Sequence, residues 1–253
     1  MNKEDLLFYQ DYENFYLMAG KSKAFADFCR EAFGEDLSQD GFSDISQVDM
    51  ILPYIKEGRF TRVLDIGCGN GKLLRYLQHK KDCSVAGFDY SANAIETAKN
   101  YNDADGDFKV GIIGEIEYPN EYFDVIVSMD TMYFAKDMTS FVGQIKSWLK
   151  ADGTLFIAYQ EGDIMPKTSN EHTTMLAEAL KANSLEYKVI DITRQTYDLL
   201  RKKRQAAINH KQEFIDEGNE EWLDMLMWQT DCATEDYEQF ALNMSRYIYV
   251  VKR

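Results

Sequence analysis

The chain is poor in the residues that build staples, metal cages and membrane spans. Its four cysteines, Cys29, Cys68, Cys83 and Cys232, form no C-x-x-C pair. Neither a disulfide framework nor a thiolate zinc site is expected, and reduced thiols in a cytoplasmic protein are. The three histidines, His79, His172 and His210, show neither metal-ligand spacing nor a paired nucleophile. No apolar run is long enough to cross a bilayer, and Met1-Asn-Lys-Glu-Asp5 lacks the apolar core of an export signal. With three prolines in all, no proline-rich or low-complexity linker divides the chain.

Positive charge is also scarce. Lys and Arg number 28 against 43 Asp and Glu, a formal net charge of -15. A protein that holds a phosphate backbone neutralises it with clustered cations, so nucleic-acid partners are not expected. The basic stretch Arg201-Lys-Lys-Arg204 is read as a solvated helix face beside the acidic run 216–221. Neither a membrane partner nor a metal is expected, and the sequence leaves monomer and homodimer open.

What is present is enough apolar residue, 45% of 253 positions, for one large α/β core with appendages. Val63-Leu-Asp-Ile-Gly-Cys-Gly-Asn-Gly71 is an apolar run that ends at an acidic residue and opens into a loop with glycine at every second position. Lys72 to Leu77 then begins a helix. Glycine at 67, 69 and 71 permits positive φ and close approach of a ligand to the backbone. A dinucleotide fingerprint requires Gly-x-Gly-x-x-Gly, and Lys72 stands where its last glycine belongs.

A second apolar run, Ser84-Val-Ala-Gly-Phe-Asp89, also ends in a carboxylate. Asp89 suits a ribose diol or the N-cap of the next helix, for which Ser91 is equally placed. A third, within Tyr122 to Phe134, carries Val125 to Val127 and closes on Ser128, Met129 and Asp130. A fourth passage, Trp148 to Tyr159, turns at Asp152-Gly153 into another strand.

In this order, across about residues 60 to 160, these stretches resemble the class I S-adenosylmethionine-dependent methyltransferases. The resemblance implies a Rossmann-like α/β fold whose seven-stranded, mostly parallel sheet has a reversed final strand. Helical caps are expected over residues 1–60 and 194–245 around a core of 61–193, with 246–253 as the final edge strand. It implies S-adenosylmethionine as cofactor and S-adenosylhomocysteine as product, with Asp65, Gly67, Cys68, Gly69 and Asn70 at one end of the site and Asp89 and Tyr90 at the ribose. Ser128 and Met129 fall beside the methionine moiety. Many relatives bring an acidic residue to the adenine amino group. Here Gly111-Ile-Ile-Gly114 offers only main chain and aliphatic surface, so Ile112 and Ile113 are expected to pack on the ring, and Glu115 is given no role.

Methyl transfer from a sulfonium requires an acceptor held in line in a dry pocket more than it requires an acid or base. Asp130, Tyr133 and Tyr159 follow strand ends and are the acceptor-side candidates, with Tyr12, Tyr16 and Gln160 as substrate contacts. Tyr9, Tyr12 and Tyr16 share a helix face, for which core packing is the competing account. Trp222 and Trp228 are expected to fill the second cap, and the loop Gln39 to Asp44 to be a lid or a plain turn. The expected activity is methyl transfer to a small molecule at nitrogen or oxygen, with amines favoured by negative potential. A protein side chain as acceptor and a non-catalytic cofactor-binding protein are the alternatives.

Overall fold

The apolar runs that end in carboxylates lie side by side as strands of one sheet. The computed structural model describes residues 6–38, 40–102 and 106–253. In chain order the helices and strands are α1 (Tyr9–Ala19), α2 (Lys23–Phe33), α3 (Ile45–Asp49), β1 (Arg62–Ile66), α4 (Lys72–Lys81), β2 (Ser84–Asp89), α5 (Ala92–Tyr101), β3 (Asp107–Val110), β4 (Phe123–Met129), α6 (Met138–Trp148), β5 (Leu149–Glu161), α7 (Met175–Ala182), β6 (Glu186–Asp191), α8 (Thr193–Asn209), α9 (Lys211–Asp216), α10 (Glu220–Gln229), α11 (Tyr237–Asn243) and β7 (Ser245–Lys252).

The seven strands run in the order β3-β2-β1-β4-β5-β7-β6. β1 to β5 pair in parallel, while β7 pairs antiparallel with both β5 and β6. The reversed final strand is therefore present, but it is not at the edge. Residues Ser245 to Val251 are all buried, whereas β6 alternates between exposed and half-buried positions. A strand buried on both faces belongs inside a sheet and a half-solvated one belongs at its margin.

Alternation along the strands feeds two cores. Leu64, Ile66, Phe88 and Ile126 pack with α6 and α7 on one face. Val63, Val85, Val125 and Val127 pack with α4 and α5 on the other, joined there by Val48, Ile51 and Ile55. The segment after α2 is not one continuous helix: α3 ends at Asp49, and a 3-10 turn over Leu52–Tyr54, with Pro53 in its first turn, covers the sheet.

Helices α1 and α2 of the first expected cap and α8 to α10 of the second form one helical layer. Phe15, Phe25 and Phe28 of α1 and α2 share a buried cluster with Leu199, Phe214 and Leu226 of α8, α9 and α10. Glu217 ties the two together by accepting from Ser22 Oγ (2.5 Å) and from the amides of Lys23 (3.1 Å) and Ala24 (3.0 Å), thereby capping α2. Among the described residues no helix is long and apolar enough to cross a membrane.

Candidate functional site

The strand ends of β1, β2 and β4 open into a cavity of about 470 Å³ roofed by α1, α10 and the loop before α3. This is where open α/β sheets take ligands, outside the carboxyl ends of neighbouring strands. Gly67, Gly69 and Gly71 all have positive φ (70°, 52° and 74°), so the loop requires glycine on conformational grounds. Their missing side chains do not face a free ligand space, however. A Cβ on Gly67 would meet Thr131 Cγ2 at 2.6 Å, one on Gly69 the Tyr16 hydroxyl at 2.4 Å, and one on Gly71 Asn102 Nδ2 at 2.6 Å. The glycines let protein side chains close on the loop, and Tyr16 of α1 lies directly on it.

Two buried carboxylates flank the loop. Asp89 accepts from Gly69 N through Oδ2 (3.0 Å) and from Ser91 N through Oδ1 (2.9 Å). The side chain of Ser91, not Asp89, caps α5 by accepting from Ala94 N (3.1 Å). Burial raises the Asp89 carboxyl to about 6, against the downward pull of those two amide donors. Asp65 is 3% exposed, and its Oδ1 has no hydrogen-bond partner. Burial first, and then the neighbouring Asp89, pushes its carboxyl well above the usual range. A buried acceptor without a partner is costly and awaits a donor. Asp65 beside the positive end of a ligand, and Asp89 beside a hydroxyl pair, fit the two halves of S-adenosylmethionine.

Cys68, Asn70, Tyr90, Ile112, Ile113 and Met129 also line the cavity. The Cys68 thiol is pushed well above its ordinary value by burial and by Asp89 and Asp65, so it stays protonated. Tyr90 donates to Leu7 O (3.1 Å) and packs with Tyr12 and Phe134 at ring separations of 6.1 Å each. Glu13 of α1 accepts from Ala92 N (2.6 Å) and Asn93 Nδ2 (2.5 Å), pinning the helix over the start of α5. Ser128 is placed differently. It is fully buried, it does not line the cavity, and its hydroxyl bonds Thr131 Oγ1 (2.7 Å), which itself donates to Ile66 O (2.7 Å).

On the acceptor side, Asp130, Tyr133, Tyr12, Tyr16 and Gln160 line the cavity and Tyr159 does not. Tyr159 points from β5 into the core shared with α6 and α7, against Tyr249 at 6.4 Å, since alternation sends Gln160 to the opposite side. Asp130 is held at φ 58° and takes both Nε (3.1 Å) and Nη2 (2.6 Å) of Arg246, which is fully buried. Trp222 packs at the edge of the helical cluster, whereas Trp228 is 71% exposed at the cavity rim and does not fill the cap.

The sequence reading missed Asp40, Thr131, Phe134, Asp163 and Gln229, all of which line the cavity. Asp40 lies in the expected lid loop, of which Gln39 is outside the described residues. Its Oδ1 accepts from Gln229 Nε2 (2.9 Å), and Gln229 Oε1 accepts from the buried Lys203 Nζ (2.7 Å). Burial raises the Asp40 carboxyl, opposed by Lys203 and by the Gln229 bond. No local motif marks these residues. The strand ends at Asp130 and Gln160 pointed near Thr131, Phe134 and Asp163, and the Asp-Gly turn at 40–41 near Asp40, while nothing local pointed to Gln229. Among the described residues no group of three or more His, Cys, Asp or Glu converges to hold a metal ion.

Comparisons with known proteins bear on the family and the fold. A family model described as a methyltransferase domain matches residues 33–197. Phosphoethanolamine N-methyltransferase 3 of Arabidopsis thaliana is 31% identical over 128 residues, 49% of this chain and 26% of that protein. The ubiquinone biosynthesis O-methyltransferase of Rhodopseudomonas palustris is 32% identical over 100 residues, 38% of this chain and 39% of that protein. The matched segments thus span about a quarter to two fifths of these relatives. A Haemonchus contortus phosphoethanolamine N-methyltransferase 2, solved with phosphomonomethylethanolamine and S-adenosylhomocysteine, superposes with a TM-score of 0.74 at 20% identity, covering 95% of this chain and 59% of that one. With the family model covering well over half of its length, the chain belongs to the methyltransferase domain family.

Proposed function

We propose that the chain is an S-adenosylmethionine-dependent methyltransferase that acts on a small molecule at nitrogen or oxygen. The observation that carries this reading is the unpartnered Asp65 Oδ1 beside Asp89 at the mouth of the glycine loop, both in one cavity with Asp130 and Tyr133. S-adenosylmethionine would supply an electrophilic methyl on a sulfonium, next to an ammonium for which Asp65 is a buried partner. Asp89, already holding two amides, keeps lone pairs for a ribose diol. Ile112 and Ile113 offer aliphatic surface for the adenine.

Transfer joins an acceptor lone pair to the methyl carbon as the carbon–sulfur bond breaks and its electron pair returns to sulfur. The chain's contribution is positioning and exclusion of water. The merged helical layer roofs the cavity, which favours a small acceptor over a protein side chain. The acidic composition and the thiols without bridging support a cytoplasmic setting and partners other than nucleic acid. Conversion of labelled S-adenosylmethionine to S-adenosylhomocysteine with methyl appearing on an added amine or phenol tests the reading. Tight cofactor binding without turnover on any amine or phenol would instead favour a regulatory protein that binds the cofactor without transferring from it.

A further inference from the structure

We propose, resting on the methyltransferase reading, that the acceptor is an amine on an apolar skeleton without an anionic group, recognised as its ammonium at the Asp163 and Gln160 end of the cavity, and that the ammonium passes a proton to the Asp163 carboxylate so that the freed nitrogen lone pair takes the methyl group. The first support is the sign of the lining. Six aspartates, Asp11, Asp40, Asp65, Asp89, Asp130 and Asp163, border the cavity, and no Lys, Arg or His does among the described residues.

The two buried cations behind that wall are committed elsewhere. Arg246 spends its guanidinium on Asp130, Ser43 Oγ, Gln47 Oε1 and the carbonyl of Phe42. With all five donors engaged, it has none for a ligand phosphate or carboxylate. Lys203 is fully buried, outside the lining, and bonded to Gln229 Oε1 (2.7 Å). An anionic group at the Asp163 end of the cavity would meet a carboxylate and, among the described residues, no cationic side chain in the lining.

The second support is a donor vacancy at one place. Gln160 is 1% exposed, and its Nε2 donates to Asp163 Oδ2 (3.1 Å), which fixes the amide orientation. Gln160 Oε1 is left buried with no partner. A carboxylate and a free amide oxygen side by side accept from a group with two or three N–H donors, as an ammonium is. Asp65 carries an orphan acceptor of the same kind at the cofactor end.

The third support is the apolar share of the cavity lining, to which Tyr133, Phe134, Ile164 and Met225 belong, with Trp228 and Phe8 also in the lining at 71% and 44% exposure. Aromatic faces beside carboxylates stabilise a cation, and the apolar surface accommodates a hydrocarbon body. A phosphobase like that bound by the Haemonchus protein would bring a dianion into this lining.

Calorimetric titration of the S-adenosylhomocysteine-loaded protein at pH 7.5 with benzylamine and phenethylamine, against 3-phenylpropionate and phosphoethanolamine, tests the inference. The amines are expected to bind at least tenfold more tightly than either anion-bearing probe. Asp163→Asn and Gln160→Met should each weaken amine binding at least fivefold while S-adenosylhomocysteine affinity stays within twofold of wild type. Amines that fail to bind, anionic probes that bind as tightly, or amine affinity unchanged in both variants would overturn it. The methyltransferase reading survives those results as long as S-adenosylhomocysteine binds, and falls separately if it does not.

Discussion

Asp130 at the end of β4 and Arg246 at the start of β7 form a two-point ion pair, at 3.1 and 2.6 Å, with the arginine side chain at 0% exposure and the aspartate at 7%. The pair fastens the acceptor-side loop to the strand that the two-sided burial of β7 places inside the sheet. It also neutralises one carboxylate of an otherwise acidic cavity.

Removing one partner leaves the other charge buried and unpaired, which costs far more than the pair is worth. Arg246→Met is therefore expected to lower unfolding free energy by about 3–5 kcal/mol in urea titration. The double variant Arg246→Met/Asp130→Leu is expected to recover part of that loss. A single variant as stable as wild type would show that the pair is solvated and not part of the core.

Asp89→Ala is expected to weaken S-adenosylhomocysteine binding by about 1.5–3 kcal/mol, the range for hydrogen bonds to a charged group. Ser91 remains to cap α5, so helix content by circular dichroism should change little. Unchanged affinity would confine Asp89 to bridging the amides of Gly69 and Ser91.

The raised Asp89 carboxyl gives affinity and stability opposite pH trends. The native value is about 6 against an ordinary 3.8, so between those limits the native state holds a proton that the unfolded chain has released. Stability due to this group therefore falls as pH rises through that window. Ligand affinity should rise over the same window as the carboxylate forms, by up to about tenfold per unit. Asp89→Asn should remove both trends, seen as differences from wild type in chemical denaturation and calorimetry between pH 4.5 and 7.5. Wild-type and variant curves that run parallel would contradict the assignment.

α1 lies on the glycine loop through Tyr16 and is pinned by Glu13 to the start of α5. Entry of a ligand as large as S-adenosylmethionine requires this contact to open. Amides of residues 9–19 should exchange faster than those of β1 and β4 in the free protein and slow at saturating S-adenosylhomocysteine. Exchange that is equally slow with and without ligand would make α1 fixed scaffold.

The strand ends and the glycine loop were legible because each is a local pattern, an apolar run, a carboxylate, then a positive-φ loop, whereas the reversed last strand was expected only from the family resemblance. Residues whose roles depend on distant packing were not. Tyr159 and Gln160 are adjacent, and only the register of β5 against β7 decides which one turns to the cavity. Ser128 looked like a cofactor contact, but it bonds Thr131, three residues on. Asp40 and Gln229 meet across 189 positions, and no spacing rule connects them. The two caps read as separate units since the sequence does not show that α2 and α8 to α10 share one apolar cluster.

The central claim is that the Gly67 to Gly71 loop, Asp65 and Asp89 form one cofactor site. Calorimetric titration of the wild-type protein with S-adenosylhomocysteine, repeated on Gly69→Val, tests it most directly. A branched side chain there would strain a residue at φ 52° and collide with the Tyr16 hydroxyl. The account predicts saturable one-to-one binding in the wild type and none in the variant, with the melting temperature of the sheet core largely kept. Absence of heat with S-adenosylhomocysteine but heat with NAD, or a variant that binds as tightly as wild type, would contradict it.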